Sequence, residues 1–328
     1  MEIRKKSALA RVYAGPEHPI KNDAPEVLFM EAVCRKDTEA ALGFFRDRKL
    51  FLDEPCAIDT PWGRFEGLSG IREFTEGFAA RFGADTAELI PVIHTRANGR
   101  AVLEAEIHFV KDDVMDQVPM FIVADLRTPD TLDEIRIYCH YTFVPGASAY
   151  RPPIFKSAHL EMGDPNVLTG AVREYYIGLH HMPSVDVDRI VRCCGDKCRF
   201  GGYHPNDGDM PADRYEDIPA TYKRMGEYIP RCVTMRYETL IDDGRTAVIE
   251  WVHIVSRAGQ EERNRIAMSG IAAYERGDDG KLCAIRISDY AGCEGDIRWD
   301  EEAVTLQEAR QVNFVEEMPW GYGRRGQE

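Results

Sequence analysis

Apolar residues along this chain recur at helical spacing, then at strand spacing, and the changeover happens twice. Residues 26–35 carry the helical period behind Pro25, a residue favoured in a helix's first turn. Asp37 stands as an N-cap before a second predicted helix, 38–46, with Leu42 and Phe45 facing inward. Residues 50–60 read as a strand that turns at Pro61-Trp62-Gly63. After Gly67 a third helix carries Ile71, Phe74, Phe78 and Phe82 on one stripe. The period then becomes two, which predicts strands over 89–96, 100–111, 118–126 and 132–144, joined by short turns such as Asn98-Gly99. Past Pro152-Pro153 the order repeats. Asp164-Pro165 opens a helix to about 181 and Ser184 caps another to 193; a strand over 197–203, an acidic loop over 204–213 and a helix to about 228 follow. Strands over 231–241, 245–257, 264–276 and 281–291 close the repeat, and 300–311 reads as a short terminal helix.

The repetition extends to words. Residues 99–110, Gly-Arg-Ala-Val-Leu-Glu-Ala-Glu-Ile-His-Phe-Val, lie over 244–255, Gly-Arg-Thr-Ala-Val-Ile-Glu-Trp-Val-His-Ile-Val, at a shift of 244 − 99 = 145. That overlay puts His108 and His253 in one column. Ile135-Arg136-Ile137 is answered by Ile285-Arg286-Ile287 at a shift of 285 − 135 = 150. Two echoes in the same order indicate a duplicated domain of about 150 residues. The expected plan is an N-terminal arm at 1–23, a first domain at 24–145, a linker at 146–163, a second domain at 164–293, and a helix and tail at 294–328. Helices followed by a run of antiparallel strands make each domain α+β.

Composition narrows the function classes. A net charge of −15 with no basic stripe excludes nucleic acid as a partner. No apolar run approaches the ~18 residues of a membrane span, and no apolar core follows Lys5-Lys6, so a cytoplasmic chain is expected. Nine cysteines in such a chain read as reduced thiols. Cys193, Cys194 and Cys198 cluster, but their spacing is irregular for zinc, and no metal is expected. There is no glycine-rich turn after a strand, no Walker-type lysine and no nucleophile elbow, hence no cofactor. The arm would lie over the body or over a partner subunit, so a homo-oligomer is in view.

The three helices, the Pro-Trp-Gly turn, the spacing Phe65-x-Gly67-x-x-x-Ile71-x-x-Phe74 and the ending Ile285-Arg286-Ile287-Ser288-Asp289-Tyr290 resemble the nuclear transport factor 2-like superfamily, whose known members include ketosteroid isomerase, and most of all its SnoaL-like branch. The resemblance covers roughly 25–145 and 165–293. It implies two tandem cone-shaped α+β barrels, each with N-terminal helices packed on a curved, mainly antiparallel sheet around a pocket. It also implies cofactor-independent lyase or isomerase chemistry, dehydratase-like or C–C eliminating, on a hydrophobic ring-bearing small molecule such as an aromatic or steroid-like hydroxy compound. The alternative is a non-catalytic small-molecule-binding or assembly module, its two cones packed sheet to sheet like a covalent version of the family's common dimer.

Strand parity nominates the chemistry. Val102, Glu104, Glu106, His108 and Val110 share one face. If that face lines a pocket, a carboxylate tunes His108 as a general base; if it faces outward, it is a solvated or interdomain surface. His253 shares a face with Ala247, Ile249 and Trp251, as a core histidine or a pocket residue. Asp289 has the parity of Ile285 and Ile287, an unusual place for a carboxylate. Tyr138, His140 and Asp59 complete the catalytic candidates. Trp62, Asp53, Glu106, Tyr203 and Trp251 are the substrate-binding ones, with the two tryptophans suited to stacking on a ring. The more polar strand faces of the first repeat favour it as the active copy.

Overall fold

The structure is a computed structural model that describes residues 1–5, 19–45, 55–146, 160–161, 163–179, 185–202, 218–220, 222–223, 231–256 and 265–289. The first repeat contains strand β1 (Glu2–Lys5), helices α1 (Pro25–Cys34) and α2 (Thr38–Gly43), and strands β2 (Ala57–Thr60) and β3 (Gly63–Glu66). Helix α3 (Gly67–Arg81) and strands β4 (Thr86–Ala97), β5 (Arg100–Lys111), β6 (Val114–Thr128) and β7 (Thr131–Tyr138) complete it. The second repeat contains helices α4 (Gly170–Leu179) and α5 (Val187–Cys193) and strands β8 (Cys194–Gly202), β9 (Arg231–Asp242), β10 (Thr246–Ser256), β11 (Arg265–Arg276) and β12 (Leu282–Asp289).

Local chemistry sets these boundaries. Pro25 opens α1, and the Asp37 carboxylate accepts from the Ala40 amide at 3.1 Å to cap α2. Asp164-Pro165 starts a short 3-10 turn rather than the long helix expected there, and α4 begins only at Gly170. Asp186 caps α5, accepting from the Arg189 amide at 3.0 Å. Ser184, the acidic loop and the 300–311 helix lie outside the described residues. In α3 the buried stripe is Ile71, Phe74 and Phe78, continued by Phe82 just past the end. A side chain at Gly70 would meet the Phe65 backbone at 2.7 Å, so only glycine lets α3 lie this close to β3.

The first sheet has seven strands in the order β3-β2-β7-β6-β5-β4, with β1 adding to β6; the second has five in the order β8-β12-β11-β10-β9. Among the described residues each of those paths is open and neither sheet closes on itself, which corrects the expected cone-shaped barrels. The physical reason is that each sheet is covered on both faces. Helices α1 and α3 bury Ala101, Leu103, Ala105 and Ile107 of β5 in the first core. Helices α4 and α5 bury Ala247, Ile249, Ala272 and Ile285 in the second. Between the sheets lies a third core, Val102, Phe121, Val123 and Tyr138 against Ile241, Val248, Ile271 and Ala273. The order is helices, sheet, sheet, helices. A sheet pressed against another over its outer face stays open instead of wrapping round its own helices.

The structural register also corrects the overlay of the repeats. Glu104 lies opposite Ile93 and Ala105 opposite Pro91, so Val92 bulges; Glu250 lies opposite Thr239 and Trp251 opposite Tyr237, so Glu238 bulges. The same bulge in both repeats aligns Val92 with Glu238 and Glu104 with Glu250, a shift of 250 − 104 = 146. Ala101-Val102-Leu103-Glu104 therefore matches Ala247-Val248-Ile249-Glu250, and Thr246 is a one-residue insertion. His253 then aligns with Ile107 and not with His108, and the shared histidine column dissolves, because one residue of slip reverses parity.

Candidate functional site

The polar face of the first repeat is the seam between the sheets. Arg136 of β7, fully buried, donates from Nε and Nη2 to the two carboxylate oxygens of Glu250 of β10 at 2.6 and 2.9 Å. Arg286 of β12, equally buried, donates to Glu104 of β5 at 2.6 and 3.1 Å. Each arginine also takes an acid from its own sheet: Asp125 at 2.8 Å for Arg136, and Glu275 at 2.8 Å for Arg286. At a shift of 150, Arg286 answers Arg136 and Glu275 answers Asp125, so two crossed bidentate pairs relate the halves as a dimer interface relates its subunits. Burial opposes the Arg136 charge, but Glu250 and Asp125 outweigh it and hold the guanidinium well above its ordinary value.

Several sequence candidates belong to this seam or its margins. Tyr138 donates to Glu250 at 2.8 Å; burial, then that carboxylate, push its phenol well up. Asp59 accepts from Arg64 at 2.6 Å, and Arg64 also reaches Glu134 at 3.0 Å, which bonds Arg136 at 3.0 Å. His108 lies 2.6 Å from Glu106, both partly exposed, on the face of β5 that carries Glu104. His140 shares a hydrogen bond of 2.7 Å with Thr142, whose carbonyl accepts from Lys5 at 2.6 Å where β1 docks. Trp62 meets Phe82 edge-on at 4.9 Å in the first core. Trp251 packs against the second core over Gly270, where a Cβ would meet the indole at 2.7 Å. The register pairs His253 with Met268 and Met235, and Asp289 with Gly270, while their side chains lie outside the described residues. Asp53 and Tyr203 also lie outside them.

Two groupings escaped the sequence reading. Glu26 of α1, fully buried, accepts from His94 Nε2 at 2.7 Å and from Arg96 Nε at 3.0 Å. His94 Nδ1 accepts from the Lys21 amide at 3.4 Å, so both ring nitrogens are engaged and the group ties α1 to β4. The second is a set of five tyrosines in the second core, Tyr175 and Tyr176 of α4, Tyr222, Tyr237 of β9 and Tyr274 of β11, each at most 2% exposed. Tyr175 lies 5.0 Å from Tyr274 and 5.7 Å from Tyr222, ring centre to ring centre; Tyr176 lies 6.0 Å from Tyr274 and 6.3 Å from Tyr237. Burial pushes the Tyr274 phenol up, and burial with Tyr274 nearby does the same to Tyr222, so both stay protonated donors at neutral pH. Their positions come from four separate segments, and only the packing brings them together. Among the described residues no three His, Cys, Asp or Glu side chains are grouped to hold a metal ion, and no helix is long and apolar enough to cross a membrane.

No family model and no curated protein matches this chain. Solved structures do. One is an NTF2-like protein of unknown function from Cytophaga hutchinsonii, at 12% identity and a TM-score of 0.27, over 38% of this chain and 94% of that one. Another, from Shewanella putrefaciens, is provisionally named a SnoaL-like polyketide cyclase; it is 14% identical with a TM-score of 0.29, over 36% of this chain and 78% of that one. A third is a hypothetical protein from Catenulispora acidiphila with a ketosteroid isomerase-like fold, in complex with trimethylamine, at 14% identity and a TM-score of 0.28, over 34% of this chain and 81% of that one. These structures carry the names NTF2-like, SnoaL-like and ketosteroid isomerase-like, and each covers 34–38% of this chain.

Proposed function

We propose that the second repeat carries a site for a hydrophobic, ring-bearing hydroxy or keto compound and acts on it as a cofactor-independent lyase or isomerase, while the first repeat serves as a scaffold. The observation that supports this reading is the tyrosine cluster, five buried phenols on a largely apolar core. Aromatic walls suit a flat ligand, and protonated phenols donate to a developing enolate or leaving oxygen in a place where water does not compete. Removing one such donor typically lowers turnover by about 10²–10³-fold. For the base we assign His253, which shares strand parity with Ile249 and Trp251, and we keep Asp289 as its partner candidate. Glu104 and Tyr138, on the polar faces that favoured the first repeat, are engaged in the seam, and the first core is rich in phenylalanines, which donate nothing.

The test uses 2-tetralone, a flat ketone, and follows exchange of its α-protons for deuterium by NMR. A hydroxy-aryl panel is scored in parallel for elimination. Wild type is expected to exceed the buffer rate, Tyr274→Phe and Tyr222→Phe to lose about 10²-fold or more, and His253→Ala to fall to background. Background rates for wild type on every compound sink the catalytic reading.

A second reading, a non-catalytic binding or assembly module, is favoured by the crossed arginine pairs, which make the chain a covalently joined pseudo-dimer. Saturable binding of 2-naphthol by wild type, weakened in Tyr274→Phe and without turnover of any panel compound, would select it.

A further inference from the structure

The chain enters α1 past a histidine. Ala24 and Pro25 are buried, whereas Lys21, Asn22 and Asp23 before them are exposed, and the Lys21 amide donates to Nδ1 of His94 on β4 at 3.4 Å. His94 lies opposite Leu103 of the first core, its side chain is 1% exposed, and its Nε2 is 2.7 Å from Oε1 of Glu26 in the first turn of α1.

These partners leave the ring a single neutral form. A backbone amide can only donate, so Nδ1 carries no proton; the one proton of the neutral imidazole sits on Nε2, where the Glu26 carboxylate accepts it. A second proton has to go on Nδ1. There it points at the Lys21 N–H, donor against donor, and the hydrogen bond between segment and ring is lost. The charged groups that meet the ring are Glu26 from α1 and Arg96 from its own strand, whose Nε reaches the same Glu26 oxygen at 3.0 Å. Strand β5 presents uncharged Leu103, and Lys21 and Asp23 are exposed. With the ring neutral, one carboxylate and one guanidinium balance. Protonation makes the group net positive, which burial and Arg96 oppose. Glu26 favours it, and its Oε2, also buried, accepts no hydrogen bond among the described residues.

We propose that His94 is a proton-operated latch on the segment that leads into α1. Neutral, it holds the Lys21 amide; protonated, it keeps Glu26 and lets the segment go. Imidazole changes charge between about pH 5 and 8, so the latch is closed at the upper end of that range and open at the lower. Release is local, because the Ala24 carbonyl still accepts from the Val27 and Leu28 amides at 3.1 and 3.0 Å and keeps the start of α1 wound.

Hydrogen exchange followed by NMR on the isotope-labelled full chain tests this, with each rate divided by the intrinsic rate at the same pH. The reference is the Asp37 amide, which bonds the Ala32 carbonyl at 2.9 Å past the far end of α1. As the pH falls from about 8 to about 5, Lys21 should lose protection by about tenfold or more while Asp37 keeps its own; about tenfold per pH unit is the most that one proton can give. In His94→Asn the side-chain oxygen replaces Nδ1 as acceptor and gains no proton, so Lys21 protection should stay level with pH. Arg96→Gln removes a charge that opposes the second proton and should move the loss to higher pH. Ring-nitrogen chemical shifts of wild type should show a neutral His94 with its proton on Nε2 at the alkaline end. Wild-type Lys21 protection that is level across the range, a fall shared with Asp37, or a ring proton on Nδ1 at the alkaline end overturns the proposal. The wild-type measurements decide this even if a variant does not fold.

Discussion

The two halves put different rings in the same place. Between helices and sheet the first half stacks Phe74, Phe78, Phe82 and Phe109, with Phe78 and Phe109 centred 5.4 Å apart and Phe82 lying on Phe109 at 4.1 Å. The second half fills the matching layer with Tyr175, Tyr176, Tyr237 and Tyr274. A phenylalanine core asks only to be dry. A tyrosine core carries a hydroxyl on every ring, and each hydroxyl must find a partner or cost free energy. The halves thus share a layer order and a seam, while one interior holds phenylalanines and the other holds hydroxyl donors. The seam shows no such difference, because Arg136 with Glu250 and Arg286 with Glu104 form equivalent pairs.

The largest effects are expected at the seam. Glu250→Ala leaves fully buried Arg136 without its bidentate partner, and Glu104→Ala does the same to Arg286. Breaking a buried pair from one side costs about 3–5 kcal/mol. Urea denaturation should show a similar loss for both variants although they lie in different halves. A cost below about 1 kcal/mol for one of them, the level of an exposed pair, would show that the halves do not share the seam equally. Replacing the whole group, Glu104→Leu with Arg286→Met and Glu275→Gln, is expected to recover most of the stability, since apolar or neutral residues of similar volume often match a buried ionic group.

Exchanging core chemistry between the halves should cost less. Opposite Ala105 the first sheet has Met120, while opposite Trp251 the second has Gly270. Gly270→Met therefore gives the second half its counterpart's residue, and the new side chain drives into the indole, for about 1–3 kcal/mol; Trp251→Ala in the same chain should return most of it. In the first half, Phe78→Tyr puts a hydroxyl into a cluster of phenylalanines and is expected to cost about 1–3 kcal/mol. Tyr274→Phe should cost about 1 kcal/mol or less. Thermal denaturation of the set measures the asymmetry directly. If Phe78→Tyr proved as mild as Tyr274→Phe, the two interiors would not differ in polarity as described.

The order of helices and strands in the first half from Pro25 on and the parity of Glu104 could be read from the sequence, because periods of two and 3.6 residues are local signals. The sheet-to-sheet arrangement was legible only within the non-catalytic alternative, and there as two cones packed sheet to sheet. Glu104 stood out as a carboxylate among apolar neighbours, but its partner Arg286 is 182 positions away, and nothing local indicates which buried acid meets which buried arginine. The one-residue insertion at Thr246 misaligned the histidines, because Gly-Arg heads both words and drew the overlay out of register by one. The tyrosines escaped notice for a different reason: each occupies an ordinary apolar position, and their significance appears only when α4, β9 and β11 are packed.

The smallest predicted effect concerns a corner that the halves do not share. Arg276, at the end of β11, donates from both terminal nitrogens to Asp242 at 2.6 and 2.9 Å, and Thr169 donates to the same carboxylate at 3.2 Å. In the first half Arg96 stands where Asp242 does, opposite Ala101 as Asp242 is opposite Ala247, and at a shift of 150 Leu126 replaces Arg276. Burial works against the Asp242 charge, but Arg276 and the Gly244 amide outweigh it and hold the carboxyl below its ordinary value. A folded-state value below the unfolded one contributes stability that is full above the unfolded carboxylate range, near pH 4, and is lost as pH falls through the folded value. Asp242→Asn should therefore melt below wild type at neutral pH, by the equivalent of about 1 kcal/mol or less. That gap should close as the pH falls below about 4. A constant gap at every pH would mean that packing, and not the charge on Asp242, holds this corner of the second half.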